Sequence, residues 1–165
     1  MAKTCLMIGA SGMAGRWIQW LTEELADRVQ IVGLVEIDEQ VLAEQGAKLG
    51  LRADQLYTDG EEACAKVKAD FCGIATPPQF HCSLALAAMD AGMPVICEKP
   101  IASTWTEAKK MAAKAKQTGL PCAIIQNYRY APNKQEVVRI RDEQRLGRLQ
   151  HIVGRYACDY REHGS

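Results

Sequence analysis

Six short apolar runs alternate along the chain with longer segments whose apolar residues fall at helical spacing. The runs are "TCLMIG" from 4, "VQIVGLVE" from 29, "QLYT" from 55, "DFCGIAT" from 70, "PVICE" from 94 and "PCAIIQN" from 121. Between the first two, Met13, Trp17, Ile18, Leu21 and Leu25 recur at intervals of four, one, three and four, which puts them on one face of a helix. Further helices are predicted over 38–50, 60–69, 80–92 and 104–119. The last opens with a Thr104-x-x-Glu107 capping box and stops near Gly119. Strands that are apolar at nearly every position are buried on both faces, so the reading is α/β: a doubly wound parallel sheet with helices on each side. No repeat, low-complexity stretch or obvious linker interrupts this order before about residue 131.

The first strand-to-helix turn reads "IGASGMAG" and spaces Gly9, Gly12 and Gly15 as G-x-x-G-x-x-G. In that context the first glycine allows a tight turn, the second lets backbone approach a pyrophosphate, and the third lets the helix pack close to the strand. Backbone N–H groups at the helix N-terminus then face phosphate charge. A tight turn alone would use the same glycines, so the second strand carries the distinction. It ends "GLVEID", and Glu36, 21 residues after Gly15, stands where an acid accepts hydrogen bonds from adenosine ribose hydroxyls. A carboxylate there repels a 2′-phosphate, and no Lys or Arg follows until Lys48, which favours NAD over NADP. Asp38 is placed to cap the next helix. Together these features predict a Rossmann dinucleotide-binding fold over residues 1–130.

Twenty basic and twenty acidic side chains in 165 residues leave no net charge, so no global field draws in nucleic acid or an anionic membrane surface, and neither is an expected partner. No apolar run is long enough to span a bilayer, and "MAKTCLMIGA" lacks the apolar core and cleavage site of a secretory signal; a cytoplasmic location is expected. Seven cysteines, at 5, 64, 72, 82, 97, 122 and 158, form an odd scattered set without Cys-x-x-Cys and read as reduced, mostly buried thiols. His81 beside Cys82 lacks ligand spacing, and no metal site is expected.

Two chemistries are set aside. "GASGMAG" also resembles the turn of semialdehyde dehydrogenases, which need a nucleophilic cysteine, but Cys97 ends an apolar strand with no His base placed beside it in sequence. Tyr130 and Lys134 in "YAPNK" match the Tyr-x-x-x-Lys of short-chain dehydrogenases. That pair requires one continuous helix, whereas Pro132 belongs in a first turn and would leave Tyr130 ahead of it.

Three loops remain. "ATPPQFH" (75–81) follows the fourth strand, "EKP" (98–100) the fifth and "NYRYAP" (127–132) the sixth, all at the C-terminal edge where open α/β sheets bind ligands. With the glycine turn, these loops make the chain resemble the glucose-fructose oxidoreductase, inositol dehydrogenase and MocA family of NAD(P)-dependent oxidoreductases, from residue 3 to about 160. The resemblance implies that Gly9, Ser11, Gly12, Met13 and Ala14 cradle the pyrophosphate and Glu36 holds the adenosine ribose. It also implies that Thr76, Pro77 and His81 line the cofactor cleft, Glu98 and Asn127 approach the nicotinamide half, and Lys99 is catalytic as well as cofactor-contacting. A lysine suits that place: when hydride leaves a secondary alcohol carbon the hydroxyl loses its proton, and an ammonium at the oxygen stabilises the alkoxide or relays the proton. Arg129 reads equally as a substrate contact or a surface ion pair.

By the same resemblance a second, substrate-binding domain follows the first. Residues 131–165 read as a helix from Pro132 to about Arg145 and then the first strand of a truncated α+β domain, with His151 and His163 outside any matching motif. The alternation in "RLQHIVGRYACDY" leaves a strand edge open, which predicts a homo-oligomer through pairing at 148–160. The implied function is hydride transfer between a nicotinamide cofactor and a sugar, polyol or related hydroxyl or carbonyl compound, with turnover lost in a chain of this length. The alternative is a non-catalytic dinucleotide-binding regulator of the same fold.

Overall fold

The computed structural model describes residues 2–155. By internal contacts the chain divides into two units, Met1–Ile125 and Gln126–Ser165. In the first unit all six expected strands form: β1 (Lys3–Ile8), β2 (Val29–Val35), β3 (Leu56–Tyr57), β4 (Phe71–Ile74), β5 (Val95–Cys97) and β6 (Cys122–Ile124). They pair in parallel in the order β3-β2-β1-β4-β5-β6. Five helices connect them: α1 (Gly12–Glu23), α2 (Glu39–Lys48), α3 (Gly60–Lys66), α4 (His81–Asp90) and α5 (Trp105–Thr118).

The period of two along β1 explains why both faces are covered. Cys5 and Met7 pack in one apolar layer with Ala14, Trp17 and Ile18 of α1 and Leu42 of α2. Leu6 and Ile8 pack in the other, with Ala63 and Cys64 of α3, Ala85, Ala88 and Met89 of α4, and Ala108 and Met111 of α5. All four β1 residues are at most 2% exposed, so each contributes about 1.5–3 kcal/mol of burial. The chain moves outward from β1 on one side, returns after β3 and moves outward again from β4. The β1/β4 junction is therefore a topological switch point, with a crevice at its C-terminal edge.

Local signals set the helix ends. Asp38 caps α2, accepting from the Gln40 and Val41 amides, and Asp59 caps α3 through the Glu62 amide. The Thr104–Glu107 capping box opens α5, and Gly119 closes it in the left-handed conformation, φ 71°. At the opposite edge of the sheet the Asp70 carboxylate accepts from Lys3 Nζ, the Thr4 amide and the Thr4 hydroxyl at 2.8–2.9 Å, clipping β1 to the start of β4.

In the second unit a 3-10 turn, Asn127–Tyr130, precedes α6 (Pro132–Asp142) with Pro132 in its first turn. Tyr130 thus stands outside the helix that carries Lys134, as the sequence predicts. Residues 148–155 are exposed and belong to no strand of this single chain; the rest of the predicted strand, 156–160, and His163 lie outside the described residues. Among the described residues no helix is long and apolar enough to cross a membrane.

Candidate functional site

The glycine turn shows what its residues are for. Gly9 adopts φ +103°, and a Cβ there would stand 2.6 Å from the Ala75 carbonyl oxygen, so only glycine lets β1 leave the sheet this close to β4. Gly12 adopts φ +53° with open space where its Cβ would be, which leaves its backbone accessible from outside. Gly15 corrects the expectation made for it: it has no left-handed φ, and a Cβ would meet only the Ala10 carbonyl at 3.4 Å, an ordinary contact that needs no glycine.

The N-terminus of α1, like that of α4, has no side-chain cap. Ser11 occupies the N-cap without a side-chain hydrogen bond, and the first turn holds no acid. Where α2, α3 and α5 satisfy their first N–H groups with Asp38, Asp59 and Thr104, α1 leaves those groups to whatever anion lies outside.

Glu36 leaves β2 beside this turn. Its Oε2 accepts from the Ala10 amide at 3.0 Å and its Oε1 from the Ile37 amide at 2.8 Å, which fixes a half-buried carboxylate over the glycine loop. A cleft of about 380 Å³ opens there. It is lined by Gly9, Ser11 and Glu36, by Ala75, Thr76 and Pro77 of the loop after β4, by Thr58 to Glu61, and by the apolar Ile37, Phe80 and Leu84. The Thr76 hydroxyl is buried and has no hydrogen-bond partner among the described residues, a cost that a polar ligand would remove. An uncapped helix N-terminus, an open-backed glycine, a fixed carboxylate, an unpartnered hydroxyl and two exposed apolar side chains fit a dinucleotide. Sequence reasoning missed Ile37, 81% exposed, and Phe80, 47% exposed; large apolar residues beside a predicted phosphate loop were the available signal.

Beyond β4, the loop after β5 presents Glu98 and Lys99. Glu98 is only 9% exposed, and its carboxylate turns inward. Oε1 accepts from Trp17 Nε1 at 3.0 Å and Oε2 from the Lys99 backbone amide at 3.0 Å. A buried carboxylate must find donors, and the indole N–H of an otherwise apolar helix face is one. Sequence analysis read Trp17 as a core residue only; its polar handle was the missed signal. Lys99 itself is exposed, and its ammonium has no hydrogen-bond or ion-pair partner among the described residues. The Lys99–Pro100 peptide is cis.

His81 departs from expectation. The ring does not line the cleft but is wholly buried behind it, with Nε2 2.8 Å from the Thr76 carbonyl oxygen and Nδ1 2.8 Å from that of Pro100. Cys97 is fully buried and its thiol is pushed up to about 12 by that burial, so it is no nucleophile at neutral pH. Asn127 belongs to the second unit, at the start of the 3-10 turn.

Comparison with known proteins decides among the possible owners of such a cleft. Residues 3–126 match the model described as "Oxidoreductase family, NAD-binding Rossmann fold". The chain belongs to the GFO/IDH/MocA family of oxidoreductases. Among curated GFO/IDH/MocA relatives, it is 34% identical to the uncharacterized protein y4oX of Sinorhizobium fredii over 167 residues, covering 100% of this chain and 46% of that protein. It is 34% identical to the D-apiose dehydrogenase of Paraburkholderia graminis over 113 residues, covering 68% of this chain and 30% of the relative. The fold superimposes on that of the WlbA dehydrogenase from Bordetella pertussis, solved with NADH and UDP-GlcNAcA. The TM-score is 0.82 at 23% identity, over 90% of this chain and 44% of that one. The GFO/IDH/MocA chain described here therefore spans less than half the length of these proteins, and its described cofactor unit corresponds to an NAD-binding Rossmann domain.

Proposed function

We propose that this chain carries the nicotinamide half-reaction of an oxidoreductase acting on a sugar, polyol or related hydroxyl or carbonyl compound, with Lys99 as the residue that serves the reacting oxygen. The observation that carries this reading is the pairing of an exposed ammonium at the end of β5, without a partner among the described residues, with a carboxylate fixed at the end of β2. Glu36 answers a ribose diol, and Lys99 is superfluous to dinucleotide binding. Bound NAD supplies a two-electron acceptor or donor at its nicotinamide ring.

The chain's own residues supply the rest. The α1 N-terminus and the Gly9–Ala14 backbone hold the pyrophosphate, and Thr76 and Pro77 floor the cleft. Glu98, anchored by Trp17, holds the Lys99 amide and so directs where the lysine leaves the backbone. The Lys99 ammonium stabilises negative charge on the substrate oxygen, or exchanges a proton with it, as the carbon–oxygen bond order changes. Asn127 is assigned to the nicotinamide side by family resemblance.

The test pairs turnover with binding. With NAD and a panel of sugars and polyols, Lys99→Met lowers turnover by about a hundredfold or more, while NADH affinity changes by less than about threefold. Turnover indifferent to Lys99 would overturn its role. NADH binding without turnover on any member of the panel would leave the regulator tied with an oxidoreductase that needs a second, substrate-binding domain.

A further inference from the structure

The enclosed cleft and the residue assigned to the reacting oxygen do not coincide. The lining of the cleft draws on the loops after β1, β2, β3 and β4 and on none after β5, so Lys99 stands outside it. Neighbouring strands lie about 4.8 Å apart, which puts the Lys99 loop one strand beyond the last wall of the cleft. A cavity of about 380 Å³ is near the lower end for a small-molecule site, and this one encloses the side of the sheet marked by Glu36.

Within that lining, the groups able to select a ligand suit one half of a dinucleotide. The Glu36 carboxylate accepts from the Ala10 and Ile37 amides and, with about four lone-pair sites, keeps acceptor capacity for a ribose diol. Ser11 gives α1 no side-chain cap, and Gly12 leaves its backbone open, so phosphate oxygens meet N–H groups there. Ile37 follows β2 and Phe80 the loop after β4, which sets two exposed apolar side chains on either side of β1. Large apolar groups held in water at the same cleft are a cost that a flat base removes.

We infer that the first unit is an adenosine-diphosphate site in its own right. Ile37 and Phe80 cover the base, Glu36 holds the ribose, the α1 N-terminus holds the diphosphate, and the group carried by the second phosphate adds little to affinity. The ligand class is then wider than nicotinamide cofactors and includes ADP-ribose, which competes with the dinucleotide for the cleft. This rests on the cofactor reading proposed above for the identity of the base, and goes beyond it in making the nicotinamide dispensable for binding.

Calorimetric titration of the full chain with NADH, ADP-ribose and reduced nicotinamide mononucleotide tests this. ADP-ribose should bind within about threefold of NADH and displace it, whereas the mononucleotide at the same concentrations should displace nothing. Phe80→Ala and Ile37→Ser, at exposed positions where the fold tolerates them, should each weaken NADH and ADP-ribose by the same factor, about five- to tenfold. Circular dichroism melts check that both variants remain folded. A larger gap between ADP-ribose and NADH, or rim variants that weaken NADH alone, overturns the inference and leaves the cofactor reading standing. ADP-ribose binding without NADH binding overturns the cofactor reading and leaves the adenosine site standing. Binding of neither overturns both.

Discussion

Replacing Trp17 by phenylalanine keeps an aromatic ring in the core but deletes the N–H that holds Glu98. The bond is 3.0 Å long and both partners are only 9% exposed, so solvent screening does little to weaken it. A hydrogen bond to a charged acceptor contributes about 1.5–3 kcal/mol. The Lys99 amide still serves the other carboxylate oxygen, which places the loss near the middle of that range, about 2 kcal/mol, plus a smaller term for lost ring volume. Urea melts followed by far-UV circular dichroism measure the change without relying on the deleted fluorophore. In a Glu98→Leu background the same substitution removes volume but no bond, so the difference between backgrounds isolates the bond at about 1.5–2.5 kcal/mol. Trp20→Phe, at a half-exposed site on the same helix, should change stability by less than about 0.5 kcal/mol. A coupling below about 0.5 kcal/mol between Trp17 and Glu98 would refute the claim that α1 anchors the Lys99 loop.

Gly9→Ala should cost about 2–4 kcal/mol, because it combines a φ of +103° with a Cβ only 2.6 Å from backbone, whereas Gly12→Ala, strained in φ but open in space, should cost about 1 kcal/mol. Equal losses in urea melts would show that the contact with Ala75 is relaxed at little cost. Acid sensitivity has a defined source in Asp70, whose carboxyl is lowered from 3.8 to about 2, chiefly by its bond to Lys3. A depressed carboxyl stabilises the fold above its unfolded value, and that contribution is lost as pH falls through the folded one. Melting temperatures between about pH 5 and about pH 2 should therefore fall less steeply in Asp70→Asn than in the wild type, with the variant less stable at neutral pH.

Period and punctuation made most of the fold legible. Apolar runs too continuous for a one-sided sheet announced buried parallel strands, and Asp38, Thr104 with Glu107, Gly119 and Pro132 set element ends where the structure has them. Strands came out shorter than their apolar runs, as with β4 ending at Ile74, because a strand ends where its ladder partners do. The glycine turn and Glu36 were readable because backbone strain and charge at a turn are local properties. The roles of His81 and Glu98 were not, since each is set by partners distant in sequence: Pro100 for the ring, Trp17 for the carboxylate. A motif names residues that recur together; which of them face the ligand and which hold the frame depends on burial, and burial is decided by the whole sheet. Ile37 and Phe80 escaped for the complementary reason, since exposure at a cleft rim leaves no periodic trace.

The central claim is that the uncapped α1 N-terminus, the Gly9–Ala14 backbone and the fixed Glu36 carboxylate form a site for a nicotinamide dinucleotide without a 2′-phosphate. Titrating the chain with NADH and with NADPH, following quenching of its three tryptophans, tests it most directly. Saturable quenching by NADH, with NADPH about tenfold weaker or worse and the preference narrowed in Glu36→Gln, is the predicted result. Binding of neither nucleotide, or tighter binding of NADPH, would contradict it.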